Sequence, residues 1–205
     1  MVGNSADPGS AGERGIATPP SEVVAAPVPV APPTRVGAGF GVWLRDLVIS
    51  LAISAFIIIF LYQPVKVEGT SMMPELVDQE RIFVNKFVYR LEPIERGDIV
   101  VFRYPYDPSK SYIKRVIGMA GDRIRIDAGQ VYVNGEALVE TYVPQEFTDV
   151  RTFPEVVVPA NSYYVLGDHR SMSDDSRAFG PVNQSFIYGK AVFGYWPMDK
   201  LGRVR

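Results

Sequence analysis

Ser71 sits in the segment VEGTSMMPEL, between an extended run and Pro74, with Gly69 two residues before it. Proline there favours the start of a turn, and glycine lets a substrate backbone approach closely. A serine so placed is exposed at the end of a strand, although the same residues also make an ordinary turn. Serine becomes a useful nucleophile only when a base takes its proton. The candidate bases are the single histidine, His169, and the lysines. Lys114 stands out because it lies inside the apolar strand YIKRVIG, where Arg115 must point to the opposite face, so that one of the two faces inward. A desolvated lysine can lose its proton and act as a base, whereas arginine stays charged. The plain alternative is that both are exposed residues flanking a core. A third segment, GDHRSMSDDSRAFGPV at 167–182, is dense in hydroxyls and acids. There Ser173 could aim a lysine amine and Asp175 could pair with Arg177 to fix the loop, although the composition is also that of any exposed turn.

Other chemistries are excluded or poorly supported. The chain has no cysteine, so thiol nucleophiles, disulfides and zinc-thiolate sites do not arise, and one histidine cannot build a two-histidine metal site. Calcium at Asp168, Asp174 and Asp175 lacks the EF-hand spacing. No metal and no cofactor are expected. With 21 Lys plus Arg against 23 Asp plus Glu, nothing suggests a nucleic-acid partner.

The elements that must position these residues follow from patterning. Residues 1–39 are rich in Pro and Gly and read as a disordered tail, because they cannot bury enough apolar surface to offset the entropy of ordering. Residues 40–63 read as a transmembrane anchor around the uncharged run LVISLAISAFIIIFLY, with Trp43 and Tyr62 at the places of interfacial aromatics and Arg45 able to snorkel. Arg35 and Arg45 before the run, against Lys66 after it, favour an inside amino terminus and an outside carboxyl domain. Residues 64–205 turn to period two, with β-branched and aromatic runs at 81–88, 98–104, 112–117, 123–127, 162–166 and 190–196. Asn134-Gly135 is a type I′ hairpin signal. The expected fold is mainly β, an antiparallel folded-over or barrel-like sheet without a long helix after residue 64.

In that order, SMMPEL, RGDIVVFRYP, YIKRVIGMAGD and GDHRSMSDDSRAFGPV closely resemble the motifs of type I signal peptidases, over about residues 40–200. The resemblance implies a single transmembrane helix followed by a β-rich catalytic domain. It implies Ser71 as nucleophile, Lys114 as general base, Ser173 as the hydroxyl that orients the lysine, and Asp175 with Arg177 as a structural ion pair. Family members with a serine at the place of Gly69 use its hydroxyl as an oxyanion donor. Here the glycine leaves the Ser71 N–H, with the Thr70 hydroxyl or a water as second donor, and Gly69→Ser is expected to leave turnover unchanged or to raise it modestly. His169, Ser171 and Met172 stand where Asn, Asp and Asn are common in the family, so His169→Asn is expected to be tolerated; beside Arg170 in a polar loop, His169 reads as a surface residue. The segment at about 124–160 is short, implying one or two hairpins in place of a second domain.

The resulting expectation is a membrane-anchored serine endopeptidase that removes signal peptides from exported preproteins, monomeric and embedded in the lipid bilayer. The peptide would lie as an added strand beside Val65–Thr70, with Val65, Val67, Thr70, Met72, Tyr112 and Ile113 as binding residues. A catalytically silent, membrane-anchored peptide-binding module is the alternative. A self-cleaving Ser-Lys repressor is a further rival, but the Pro/Gly tail cannot supply its DNA-binding domain.

Overall fold

The computed structural model describes residues 36–205. The disordered tail expected over 1–39 lies outside the described residues, apart from its last four, which are helical. By its contacts the chain divides after Trp43, and the unit Leu44–Arg205 carries everything described below except the start of the first helix.

That helix, α1 (Val36–Leu61), contains no proline and is 26 residues long, about 39 Å against a hydrocarbon core of about 30 Å. It begins four residues before the expected anchor. Its Phe40–Ile58 stretch is long and apolar enough to cross a membrane and none of it is buried against protein. Arg45 and Asp46 hydrogen-bond to each other at 2.9 Å. The helix ends at Leu61, two residues earlier than expected, because Pro64 biases Gln63 away from helical torsions and offers no N–H of its own. Tyr62 and Gln63 therefore open the first strand.

The rest is antiparallel β, as the patterning implies. After β1 (Tyr62–Lys66) come β2 (Arg81–Asn85), β3 (Ile99–Tyr104) and β4 (Asp107–Gly118), with a single helical turn, α2 (Val88–Leu91), between β2 and β3. The segment 123–157 supplies β5 (Arg123–Asp127), β6 (Gln130–Val133), β7 (Glu136–Ala137) and β8 (Phe153–Val157). The chain finishes with β9 (Ser162–Leu166), a second helical turn α3 (Ser176–Phe179), β10 (Val182–Asn183), β11 (Ile187–Trp196) and β12 (Gly202–Arg203). The main sheet runs β1-β2-β11-β3-β4-β9-β10, with β12 beside β11, and the second runs β7-β6-β5-β8. Thus the short insertion is more than a hairpin: β8 pairs with β5 and completes a four-stranded sheet. At its β6–β7 turn Asn134 (φ 56°) and Gly135 (φ 89°) both take the left-handed torsions that a type I′ turn requires.

Packing explains the apolar runs. In β3, Ile99 and Val101 enter one buried cluster with Val67, Met72 and Leu76, while Val100 and Phe102 enter another with Val116, Val165 and Phe179. A strand covered on both faces reads as a continuous apolar run and not as an alternation. Ile117 of β4 and Leu166 of β9 pack with Ile124, Ile126 and Val131, so the second sheet covers part of the first.

Candidate active site

Ser71 lies on the turn that follows the extension of β1. Beyond Lys66 the extended chain continues to pair, the Val67 N–H donating to Glu80 O at 2.7 Å and the Gln79 N–H to Val67 O at 2.9 Å. The turn closes with Met73 N–H donating to Thr70 O at 3.1 Å and Leu76 N–H to Met72 O at 2.9 Å. Met72 and Leu76 are buried and pin this turn to the core, while Ser71 stays half-exposed. A local apolar pair flanking a polar turn is what holds the hydroxyl at the rim.

Lys114 reaches the same point from β4, where it stands opposite Val100. Its side chain is only 4% exposed. The ammonium donates to Ser71 Oγ at 2.7 Å and to the Ile113 carbonyl at 3.1 Å. Burial pulls the Lys114 amine down from the ordinary lysine range to about 8, against the opposing pull of the Asp175, Asp174 and Asp168 carboxylates. An amine that is largely charged at neutral pH but deprotonates within reach of it can accept a proton from a hydroxyl.

Arg115 departs from expectation. One of the two neighbours was expected to face inward, and both are buried. Arg115 meets Asp168 at 2.6 Å and 2.8 Å, donates to Gly97 O at 3.1 Å and Arg205 O at 2.8 Å, and lies 4.1 Å from the Tyr142 ring. The face of β4 opposite Lys114 is covered, and a carboxylate waits there for the guanidinium. Asp168 and Asp175 are each engaged by an arginine, which removes them as free ligands for calcium.

The loop at 167–182 folds back onto the Ser71 turn. Asp175 accepts from Arg177 Nε and Nη2, both at 2.8 Å, and from the Gly167 N–H at 3.1 Å. Arg177 also donates to Asp149 at 2.7 Å and to Arg170 O at 2.7 Å, tying the loop to the chain just before β8. A Cβ on Gly167 would lie 2.2 Å from Ser173 Oγ and 2.5 Å from Ser71 O, so only glycine allows the loop to touch the turn. Ser173 Oγ is buried at this contact and has no hydrogen-bond partner among the described residues. The structure brings Ser173 beside Ser71 but gives it no bond to Lys114.

Two further residues depart from expectation. His169, expected at the surface, is half-buried and held by contacts: its ring lies 4.1 Å from that of Phe147, its Nδ1 donates to Thr70 O at 3.2 Å, and its N–H donates to Ser71 O at 3.1 Å. Only the tertiary fold brings residues 70 and 169 together, so no local signal announced it. Gly69 has φ +94°, and its N–H donates to Asp78 Oδ1 at 2.8 Å. Space is open around it, but a side chain there must adopt left-handed torsions, which argues against a harmless Gly69→Ser.

Beside the serine runs a cleft of about 580 Å³, lined by Val65, Val67, Thr70, Met72, Tyr112 and Ile113 together with Ser71 and Lys114. Val101, Met172, Asp174 and Tyr188 line it too and were missed, since nothing local distinguishes them from other strand and loop residues. β1 is the edge of its sheet, and β4 pairs with β9 only from Arg115 onward, so the cleft lies between two strand edges with unpaired backbone. An extended peptide can add to such edges by main-chain hydrogen bonds, with alternate side chains entering the walls.

The cleft thus presents, between two strand edges, a hydroxyl held against a buried amine. The family model described as signal peptidase, peptidase S26, matches residues 41–196, and the chain belongs to that family. It is 38% identical to a signal peptidase I of Leptolyngbya laminosa, over 78% of this chain and 79% of that protein. It is 35% identical to a signal peptidase I of Bacillus amyloliquefaciens, over 80% and 89% respectively. A crystal structure of a signal peptidase I from Enterococcus faecalis V583 aligns with a TM-score of 0.43 and 32% identity, covering 48% of this chain and 97% of that one.

Proposed function

We propose that the chain is a membrane-anchored signal peptidase I that cleaves preproteins through an acyl-enzyme, with Ser71 as nucleophile and Lys114 as base. The observation that carries this reading is the 2.7 Å contact between Lys114 Nζ and Ser71 Oγ, made by a lysine whose burial lowers its proton affinity. Once neutral, the amine accepts the proton of the Ser71 hydroxyl as Oγ attacks the scissile carbonyl. The resulting ammonium gives that proton to the departing amine as the peptide bond breaks. Water then attacks the Ser71 ester, Lys114 taking its proton and returning it to Oγ as the acid leaves. The Ser71 N–H, which donates to no acceptor among the described residues, supports the oxyanion.

Substrates are signal-peptide-bearing preproteins, their small side chains at the minus-one and minus-three positions entering the walls of the cleft. α1 holds the domain at the membrane, where the substrate is equally anchored. The amino terminus lies inside and the catalytic domain outside. Asp175 and Arg177 hold the loop, and Ser173, buried beside the Ser71 turn, is the hydroxyl that orients the lysine. The test is a preprotein incubated in detergent with the wild type and with Ser71→Ala. Cleavage at the signal junction by the wild type alone is expected, and an active Ser71→Ala protein overturns the proposal.

A further inference from the structure

His169 grips both peptide groups that flank the serine. Its imidazole donates to Thr70 O and its backbone N–H donates to Ser71 O. Thr70 O is only an acceptor, so Nδ1 must carry the proton. The Thr70 carbonyl and the Ser71 N–H belong to one planar, trans peptide, with the two groups pointing in opposite directions. Whatever fixes the carbonyl therefore fixes the N–H. Thr70 O also accepts the Met73 N–H at 3.1 Å, so this carbonyl is held from two sides. Hydrogen bonding at a carbonyl also polarises its peptide and strengthens the N–H as a donor. The ring itself is held in place by Phe147, at 4.1 Å between centroids.

We infer that His169 is a positioning residue for the oxyanion donor: it aims and polarises the Ser71 N–H through the Thr70 carbonyl, without touching substrate. The inference rests on the acyl-enzyme reading above. Asparagine is the conservative substitute for this role, because Asn Nδ2 stands as many bonds from the backbone as His Nδ1 and is likewise a donor. Leucine has the shape of asparagine and no donor.

The experiment compares His169→Asn with His169→Leu in the full chain in detergent, using a preprotein substrate at the alkaline plateau of each variant's own pH profile. The asparagine variant should retain kcat within about threefold. The leucine variant should lose about tenfold or more in kcat with KM nearly unchanged, less than the 100- to 1000-fold typical of deleting a donor outright, because the N–H itself remains. Its affinity for a peptide boronate, which forms a tetrahedral adduct, should fall in step, while binding of uncleaved substrate on a Ser71→Ala background should not. Equal kcat in the two variants, or parallel losses in substrate and boronate binding, would overturn the inference. Should the leucine variant not fold, the wild type decides: with a single histidine, ¹⁵N NMR reads its tautomer without assignment. The Nδ1–H tautomer is required in the neutral ring, and Nε2–H rules the inference out. If the wild type fails to cleave, or Ser71→Ala still does, it is the acyl-enzyme reading that fails.

Discussion

Arg115 and Asp168 form a buried ion pair, 2.6 Å between Nη2 and the carboxylate, on the residue next to Lys114. It ties β4 to the start of the 167–182 loop, the two segments that supply Lys114 and Ser173. Removing one member leaves an uncompensated buried charge, which costs about 3–5 kcal/mol. Asp168→Ala should therefore lower the unfolding free energy by that order, and Arg115→Met with Asp168→Leu together should cost less than either single change. Denaturant titration in detergent measures both. An Asp168→Ala protein of wild-type stability would mean that the guanidinium is satisfied by the Gly97 and Arg205 carbonyls alone.

Lys114 burdens the fold that holds it. Its amine titrates near 8 in the folded protein against 10.5 for an ordinary lysine, so below pH 8 the folded state is penalised by about 3 kcal/mol. The penalty is fully present below the folded value, shrinks as pH rises from 8 to 10.5, and vanishes above, where both states are neutral. Lys114→Met should thus abolish cleavage yet stabilise the domain at pH 7, by a margin that fades towards pH 10.5. A destabilised variant at pH 7 would show that Lys114 is not desolvated.

Gly167 should tolerate no side chain. A methyl group would lie 2.5 Å from the Ser71 carbonyl oxygen, which is backbone and cannot swing aside. Overpacking of this kind costs about 1–3 kcal/mol and displaces the turn. We expect Gly167→Ala to lose cleavage by at least about a hundredfold while circular dichroism still reports a folded β domain. Near-normal turnover would mean that the loop and the Ser71 turn are not in contact.

Gly69→Ser should be slower, because its cost lies in torsion and not in space. Placing a side chain at φ +94° costs about 1–2 kcal/mol and loosens the segment that leads to Ser71. Unchanged or raised turnover in a folded Gly69→Ser protein would return this position to the role of oxyanion donor.

Much of this was legible in the sequence for identifiable reasons. β-branched and aromatic runs marked β2, β3, β5, β9, most of β11 and the end of β4, but not β1, β8, β10 or β12. Asn134-Gly135 gave a turn whose torsions follow from its residue types, and an apolar strand interrupted by Lys114 flagged a lysine that could lie out of water. What escaped depends on contacts between distant segments. Alternation along YIKRVIG places one neighbour inside and one outside only when a single face is covered, and here the side of Arg115 is covered as well. His169 looked solvated because its partners, Thr70 and Phe147, are remote in sequence. Gly69 reads as replaceable because the family resemblance places a serine there, while the left-handed torsion it adopts in this chain leaves no mark in the sequence.

The coupling of Ser71 and Lys114 is tested most directly by a double-mutant comparison of kcat/KM on one preprotein: wild type, Ser71→Ala, Lys114→Ala and the double variant, all checked for folding. Residues of one proton-transfer unit do not add their losses. The predicted result is that each single change reduces cleavage to the level of the double. A Lys114→Ala protein with near-normal turnover, or a double variant markedly worse than either single, would contradict the account.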